Sequence, residues 1–374
     1  MTEELMTNRL FEIKNAFDFS AENKQLFLES IKEMIEFHRH QSEMYDNICK
    51  QYNFSSQQLM SEEDIFNIPH IIVNAFKERK IIDIDEEEID TTFTSSGTGG
   101  SKSQINWDAI SRERQNMTRR RIVESYGLSD YDSEVNYLVF SYSPEISGTR
   151  GAASAHSAYA GFTKSRDTYY AIKGGNDGNP VFDVEEVISK LDEFQESGLP
   201  LRITGFPAFS YVTLSKIRDR GKKYNFPAES VLFSGGGWKL QTGIAVSNDE
   251  YAALVLDVLG IQRTRIRDVF GMVEHGIPYM TDEKGRFRVP IYSRVCAVDP
   301  GSLEILPYGQ SGMLKLITPY IRSAPSISIL STDLGAVHKL DNGEEGYYIE
   351  LKGRGGVKKY AGCGISAAQL LGHV

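Results

Sequence analysis

Cysteine is scarce in this 374-residue chain, and the three present, Cys49, Cys296 and Cys363, stand far apart. An odd, scattered set makes neither a disulfide framework nor a metal-ligand spacing, which points to a reducing, cytoplasmic setting. The seven histidines form no HExxH pattern. His38 and His40 lie two apart in a helical stretch, so they face different sides and read as solvated. No run approaches the ~18 apolar residues of a membrane-spanning helix. The N-terminus, MTEELMTNRLFEIKNAF, lacks the apolar grammar of a signal peptide and reads as an amphipathic helix. Basic charge is in deficit as well: 41 Lys and Arg against 51 Asp and Glu leave a net charge of −10. A binder of nucleic-acid backbone needs a basic face, so the balance argues against that class. A small anion held by a local pocket is still compatible with it.

What is present is ordinary globular material, 40% hydrophobic and 25% charged, long enough for two or three lobes around a large core. Up to residue 85 the chain is helix-rich, with Leu26, Leu28, Ile31, Met34, Ile35, Met44 and Ile48 at helical spacing. The grammar then changes. Strand-like runs at Val135–Tyr142, Leu201–Thr204, Ser230–Ser234 and Arg265–Phe270 alternate with helical stretches near Ala109–Tyr126, Val184–Glu196, Phe209–Arg220 and Asn248–Leu259. Such alternation predicts an α/β core with a largely parallel sheet over residues 86–285. Residues 286–352 read as antiparallel strands joined by Pro-Gly and Tyr-Gly turns, a β-rich subdomain. Residues 353–374 read as a mobile Gly-rich tail carrying Cys363.

Chemistry concentrates first at Thr94, Ser95, Ser96, Gly97, Thr98, Gly99, Gly100, Ser101 and Lys102. Glycines and hydroxyls this dense let backbone N–H and side-chain O–H groups converge on an anion. A Walker-A loop is excluded, because counting from Gly97 puts Lys102 where the second glycine belongs. A kinase-type loop is excluded by the missing HRD and DFG partners. Four further segments follow in order. Phe233-Ser-Gly-Gly-Gly-Trp-Lys239 is a glycine turn whose Gly235, Gly236, Gly237 and Trp238 suit a nucleotide base. Phe270-Gly271-Met-Val-Glu274 combines an aromatic stacking face with a hard oxygen ligand for Mg²⁺. Asp333, after Thr332, can accept from two ribose hydroxyls. Arg354, after Gly353, can donate in a fork to ribose or phosphate oxygens.

In this order the five segments resemble the adenylate-forming superfamily: its phosphate loop, its adenine turn, its YGxTE segment with Phe and Val replacing Tyr and Thr, its TGD segment and its GR hinge. TSSGTGGSKSQ, FSGGGWK and the single late Gly-Cys resemble more closely the acyl-protein synthetase (LuxE) family. The resemblance spans roughly residues 90–370. It implies an adenylate-forming fold, ATP and Mg²⁺ as cofactors, and a carboxylic, fatty acid activated as acyl-AMP. It further implies acyl transfer to the chain's own cysteine, at Cys363, and delivery to a partner acyl reductase.

The superfamily's usual C-terminal domain, with its catalytic lysine, is expected to be absent, since only twenty residues follow Arg354. Gly355-Gly356 stands where an acidic hinge residue is usual. Another cation must then steady the charge of adenylation, and spacing does not choose between Lys102 and Lys239. Nine residues separate Cys363 from Arg354, a reach of about 30 Å when extended. Lys358 and Lys359 would favour the thiolate. Cys49 and Cys296 read as structural. His156 has two readings, a wall of the acyl pocket or a satisfied core histidine. Two alternatives to self-acylation stand beside it: a stand-alone ligase passing the acyl group to CoA or a carrier protein, and a catalytically quiet nucleotide-binding scaffold.

Overall fold

Helices α1 (Met6–Glu12), α2 (Ala21–Gln41) and α3 (Glu43–Gln51) come first. The computed structural model describes residues 5–94, 104–130, 132–175, 177–238, 246–341 and 343–354. Ser20 opens α2 by accepting the Asn23 N–H, and Phe27, Leu28, Ile31, Met34 and Ile35 form its buried stripe. His38 continues that stripe. It is fully buried, with its ring nitrogens 2.9 Å from Asp83 Oδ2 and 3.0 Å from Ile321 O. The solvated reading therefore suits exposed His40 and fails for His38, whose partners come from distant parts of the chain.

Strand β1 (Ile71–Ile72) and helix α4 (Ala75–Glu78) lead to a hairpin, β2 (Thr91–Thr94) and β3 (Gln104–Trp107), in which Thr94 faces Gln104. Helix α5 (Ala109–Ser125) starts where Asp108 accepts the Ser111 N–H at 2.9 Å. Next come β4 (Glu134–Tyr142), α6 (Pro144–Ser147), α7 (Gly151–Tyr159), β5 (Lys164–Gly174) and β6 (Pro180–Phe182). Then α8 (Val184–Glu196), β7 (Leu201–Gly205), α9 (Pro207–Asp219), β8 (Val231–Gly235), α10 (Asn248–Leu259), β9 (Ile266–Phe270) and β10 (Tyr279–Met280) complete the core.

These strands form a seven-stranded sheet in the order β10-β9-β8-β7-β4-β5-β6. The five inner strands are parallel, and β6 and β10 are antiparallel at its edges. Parallel strands need cover on both faces, hence the unbroken burial of β7 and β8. Leu232 packs with the α8–α10 side, while Val231 and Phe233 pack with α5 and the N-terminal helices. The chain leaves β4 for β5 on one side and returns through β7 on the other, so the order reverses at β4. Open α/β sheets bind ligands at such a reversal, beyond the strands' carboxyl ends.

A second sheet runs β11 (Phe287–Arg288), β15 (Tyr347–Arg354), β14 (Ser328–Lys339), β13 (Ser311–Ile317), β12 (Arg294–Val298), all antiparallel neighbours. The N-terminal segment adds β1, parallel to β14. That segment is also tied to the stretch before β12 and to α5: the Ile291 N–H donates to Ala16 O at 2.7 Å, and Ala16 N–H to Ser125 Oγ at 2.8 Å. No helix among the described residues is long and apolar enough to cross a membrane.

Candidate active site

Strand β8 ends in Gly235 and passes into Gly236 and Gly237, both left-handed at φ 83° and 68°. A side chain on Gly236 would also meet the Phe206 ring at 2.9 Å, so only glycine fits beneath that ring. Trp238 leaves the turn to pack edge-on against Tyr211 and Tyr251, 5.5 and 5.6 Å between centroids. It anchors the turn between α9 and α10, and the turn's backbone is the part left for a base edge.

Under the turn lies His156, on α7. Its Nδ1 is 3.0 Å from Ser141 Oγ, its ring meets Phe206 edge-on at 4.6 Å, and its other nitrogen faces the Gly235 backbone. Burial lowers its pKa to about 4, partly offset by the Gly235 hydrogen bond. Neutral near pH 7, His156 ties β4 to the glycine turn. The contacts made by His156 are those of a satisfied core histidine.

The head of α7 meets two other segments. The Thr94 N–H donates to Thr149 O at 2.8 Å, and the two threonine hydroxyls are 3.0 Å apart. Gly151 is packed so tightly between Thr94 and Val273 that an added methyl would overlap the Val273 side chain. Thr94, where the hydroxyl-rich loop begins, is thus fixed beside the Phe270–Glu274 segment. Ser95, Ser96, Gly97, Thr98, Gly99 and Lys102 lie outside the described residues, as do Lys239 and Cys363. Exposed Arg150 sits at the same junction, its guanidinium 4.8 Å from the Tyr142 ring centre.

Phe270 closes β9, and Gly271 follows it. The Phe270 ring stacks on Tyr279 at 5.8 Å and meets Phe287 edge-on at 6.2 Å, joining the two sheets. One ring face is therefore taken by Tyr279, and the residue is 9% exposed. Met272 to Gly276 then form a tight turn, closed by the Gly276 N–H on Met272 O at 2.8 Å, with Glu274 buried in it. A hydrogen-bonded chain braces this turn: His275 Nε2 to Tyr279 hydroxyl at 2.7 Å, that hydroxyl to Ser293 Oγ at 2.7 Å, and Ser293 Oγ–H to Ile317 O at 3.1 Å. Desolvation lowers the His275 pKa to about 3, which suits a neutral ring donating from Nε2. Among the described residues no group of three or more His, Cys, Asp or Glu could hold a metal.

Asp333 and Arg354 are Cα partners across β14 and β15, with Asp333 buried and its N–H on Ser331 Oγ at 3.1 Å. The side chain of Arg354 lies outside the described residues. Sequence reasoning missed Ser141, Thr149, Arg150 and Phe206. Only Phe206, in Gly-Phe-Pro after an apolar run, carried a local signal, that of a strand end entering a helix.

Cys49 and Cys296 are both buried. Burial pushes the Cys49 thiol up, and holds Cys296 at about 11 in spite of nearby Lys315. Neither is poised to be a thiolate.

Three histidines set an acid limit on stability. His70, His156 and His275 fall to about 4, 4 and 3, chiefly by desolvation. Unfolded histidine titrates near 6.5, so below that pH the unfolded chain takes up protons that the folded chain refuses. Stability should be flat from pH 8 to 7 and fall from about 6.5 towards 4, by roughly 3 kcal/mol for His156 alone. Urea midpoints measured against pH check this; constant midpoints down to pH 5 would contradict it.

The sequence profile of the family "Acyl-protein synthetase, LuxE" matches residues 4–372. The chain is 24% identical over 352 residues to the long-chain-fatty-acid–luciferin-component ligase of Vibrio harveyi, covering 93% of this chain and 89% of that protein. Its Aliivibrio fischeri counterpart is 23% identical over 364 residues, covering 94% and 90%. Among solved structures, an open 2-hydroxyisobutyryl-CoA ligase in complex with 2-HIB-AMP and CoA superposes with a TM-score of 0.69 at 16% identity, covering 91% of this chain and 76% of that one. That likeness establishes the adenylate-forming fold expected from the motif order. The chain belongs to the acyl-protein synthetase (LuxE) family, and is an ATP-dependent ligase of that family.

Proposed function

We propose that the chain activates a long-chain fatty acid with ATP and passes the acyl group to its own Cys363 for delivery to a partner acyl reductase. The observation that carries the first step is that Thr94 and the Glu274 turn meet at the head of α7 and the glycine turn meets the same helix at His156, beyond the carboxyl ends of β4, β8 and β9. The names of the curated relatives supply the substrate class. In the first half-reaction a carboxylate oxygen attacks the α-phosphorus of ATP, an acyl–O–P bond forms, and pyrophosphate leaves. In the second, the Cys363 thiolate attacks the acyl carbon and AMP leaves with the bridging oxygen.

The residues divide this work. Backbone at Gly235–Gly237 would take the base edge, and Phe270 would offer what remains of its ring. Asp333 and Arg354, opposite each other on adjacent strands, would hold the ribose. Ser95, Ser96, Gly97, Thr98 and Gly99 would cradle the phosphates, with Lys102 or Lys239 steadying the charge that develops. A single buried carboxylate, Glu274, suits Mg²⁺, which favours one or two protein oxygens and completes its shell with phosphates and water. The ion would neutralise triphosphate charge.

Fatty-acid-dependent ATP–pyrophosphate exchange is the test. Exchange with C12–C18 acids is expected; folded protein that binds ATP yet exchanges with none of them would overturn the reading. Asp333→Ala should weaken ATP binding about ten- to a hundredfold, since a hydrogen bond to a charged group is worth roughly 1.5–3 kcal/mol. Titration calorimetry with ATP and with a 2′,3′-dideoxy analogue checks the cause: the variant should lose the preference for ribose hydroxyls.

A further inference from the structure

Helix α6 is a single turn, Pro144–Ser147, and its last carbonyls need donors from outside it. Arg150 supplies them: its Nη1 donates to Ile146 O at 2.7 Å and to Ser147 O at 3.0 Å. Gly148, between helix and arginine, adopts φ 54°, a conformation that favours glycine and turns the chain back for that contact. The guanidinium also lies 4.8 Å from the Tyr142 ring centre, a cation–π contact. Arg150 is therefore exposed yet held in place by α6 and by the end of β4. Both Nη1 protons are engaged there. Among the described residues Nε and Nη2 have no hydrogen-bond partner, and Arg150 makes no ion pair, neither with Glu145 on α6 nor with Glu274 beyond Gly151.

The place of those N–H groups gives them a use. Tyr142 is the last residue of β4, the strand at which the sheet order reverses. Its ring meets Phe206 edge-on at 6.3 Å, and Phe206 underlies Gly236 of the glycine turn. On the other flank Arg150 bridges by backbone to Thr94, where the hydroxyl-rich loop begins. Arg150 thus stands over the carboxyl end of β4, linked on one side to the root of that loop and on the other to the glycine turn. Among the described residues that meet at the head of α7, it alone is positively charged. Glu274 is acidic, and His156 is neutral near pH 7. A triphosphate and a carboxylate brought together there need more positive charge than one Mg²⁺ supplies.

We propose that Arg150 is a catalytic residue of adenylation, binding the β- and γ-phosphates of ATP and the pyrophosphate that departs. This rests on the proposed acid activation and adds a residue to it. As the carboxylate oxygen bonds to the α-phosphorus, the bond from that phosphorus to the oxygen bridging it to the β-phosphate breaks. The electron pair of that bond leaves with pyrophosphate. The charge so gained meets the Nε–H and Nη2–H groups, a planar fork that matches two phosphate oxygens.

Arg150→Gln removes the charge and leaves an amide donor for the α6 carbonyls. Calorimetry on the whole chain should show Mg-ATP and Mg-pyrophosphate binding about tenfold more weakly to this variant, with AMP binding unchanged. Fatty-acid-dependent pyrophosphate exchange should fall by about 10²–10³-fold, the size of effect expected when one such donor is lost. Arg150→Lys should recover part of the exchange, and so should millimolar guanidinium added to Arg150→Ala. Equal weakening for ATP and AMP would overturn the proposal and leave Arg150 a cap on α6. So would wild-type affinity for ATP and pyrophosphate in Arg150→Gln. If the wild-type chain binds ATP but exchanges with no acid, the activation reading fails by itself. The comparison of pyrophosphate with AMP then still decides whether Arg150 holds the phosphates.

Discussion

Glu274→Gln is expected to cut acid-dependent pyrophosphate exchange by about 10²–10³-fold while ATP binding without Mg²⁺ changes little. Gln keeps the shape of the buried side chain but gives up its charge. The turn that holds it should persist, because a brace runs through His275, Tyr279 and Ser293 to the Ile317 carbonyl. The expected loss is of the size found when one group that stabilises developing charge is removed. Raising Mg²⁺ should recover part of the rate. Wild-type turnover at ordinary Mg²⁺ would place the metal elsewhere.

The elements that position this site differ in how far they could be read from sequence. Strands β4, β7, β8 and β9 were legible because buried parallel strands are apolar runs between amphipathic helices. Helix α7, GAASAHSAY, and strand β5, KSRDTYYAIKG, were not legible. The first has four helix-favouring alanines but no periodic stripe of larger apolar residues to mark it. The second lies next to an edge strand and is largely half-exposed, so it lacks an apolar run. The site inherits this gap, since α7 supplies His156 and the junction that holds Thr94.

The aromatic residues show a second limit. Phe270 and Trp238 could be read equally as base-stacking or as packing, because an apolar ring serves both. Only the packed chain shows Tyr279 and Phe287 against the one and Tyr211 and Tyr251 against the other. His38 was misread for a similar reason: its partners, Asp83 and Ile321, are brought to it by the fold. By contrast, Asp333 and Arg354 were chosen by motif order alone, and the β14–β15 register sets them opposite each other.

The largest expected effect belongs to Cys363→Ala. The other two cysteines are poor candidates for the acyl acceptor, being buried thiols with raised pKa. Cys363 lies between two glycines, close to Lys358 and Lys359, in the segment outside the described residues. If it is the acceptor, adenylation does not need it and thioester formation needs it entirely. Cys363→Ala should therefore keep pyrophosphate exchange within about twofold of wild type while covalent labelling falls to background. Cys49→Ala and Cys296→Ala should still label, once shown to be folded.

The most direct measurement is covalent labelling of the whole chain with radioactive fatty acid, ATP and Mg²⁺, followed by neutral hydroxylamine. The account predicts an ATP-dependent, hydroxylamine-labile label on wild type and none on Cys363→Ala, with pyrophosphate exchange intact in both. Undiminished label on Cys363→Ala, or a label that forms without ATP, would contradict it.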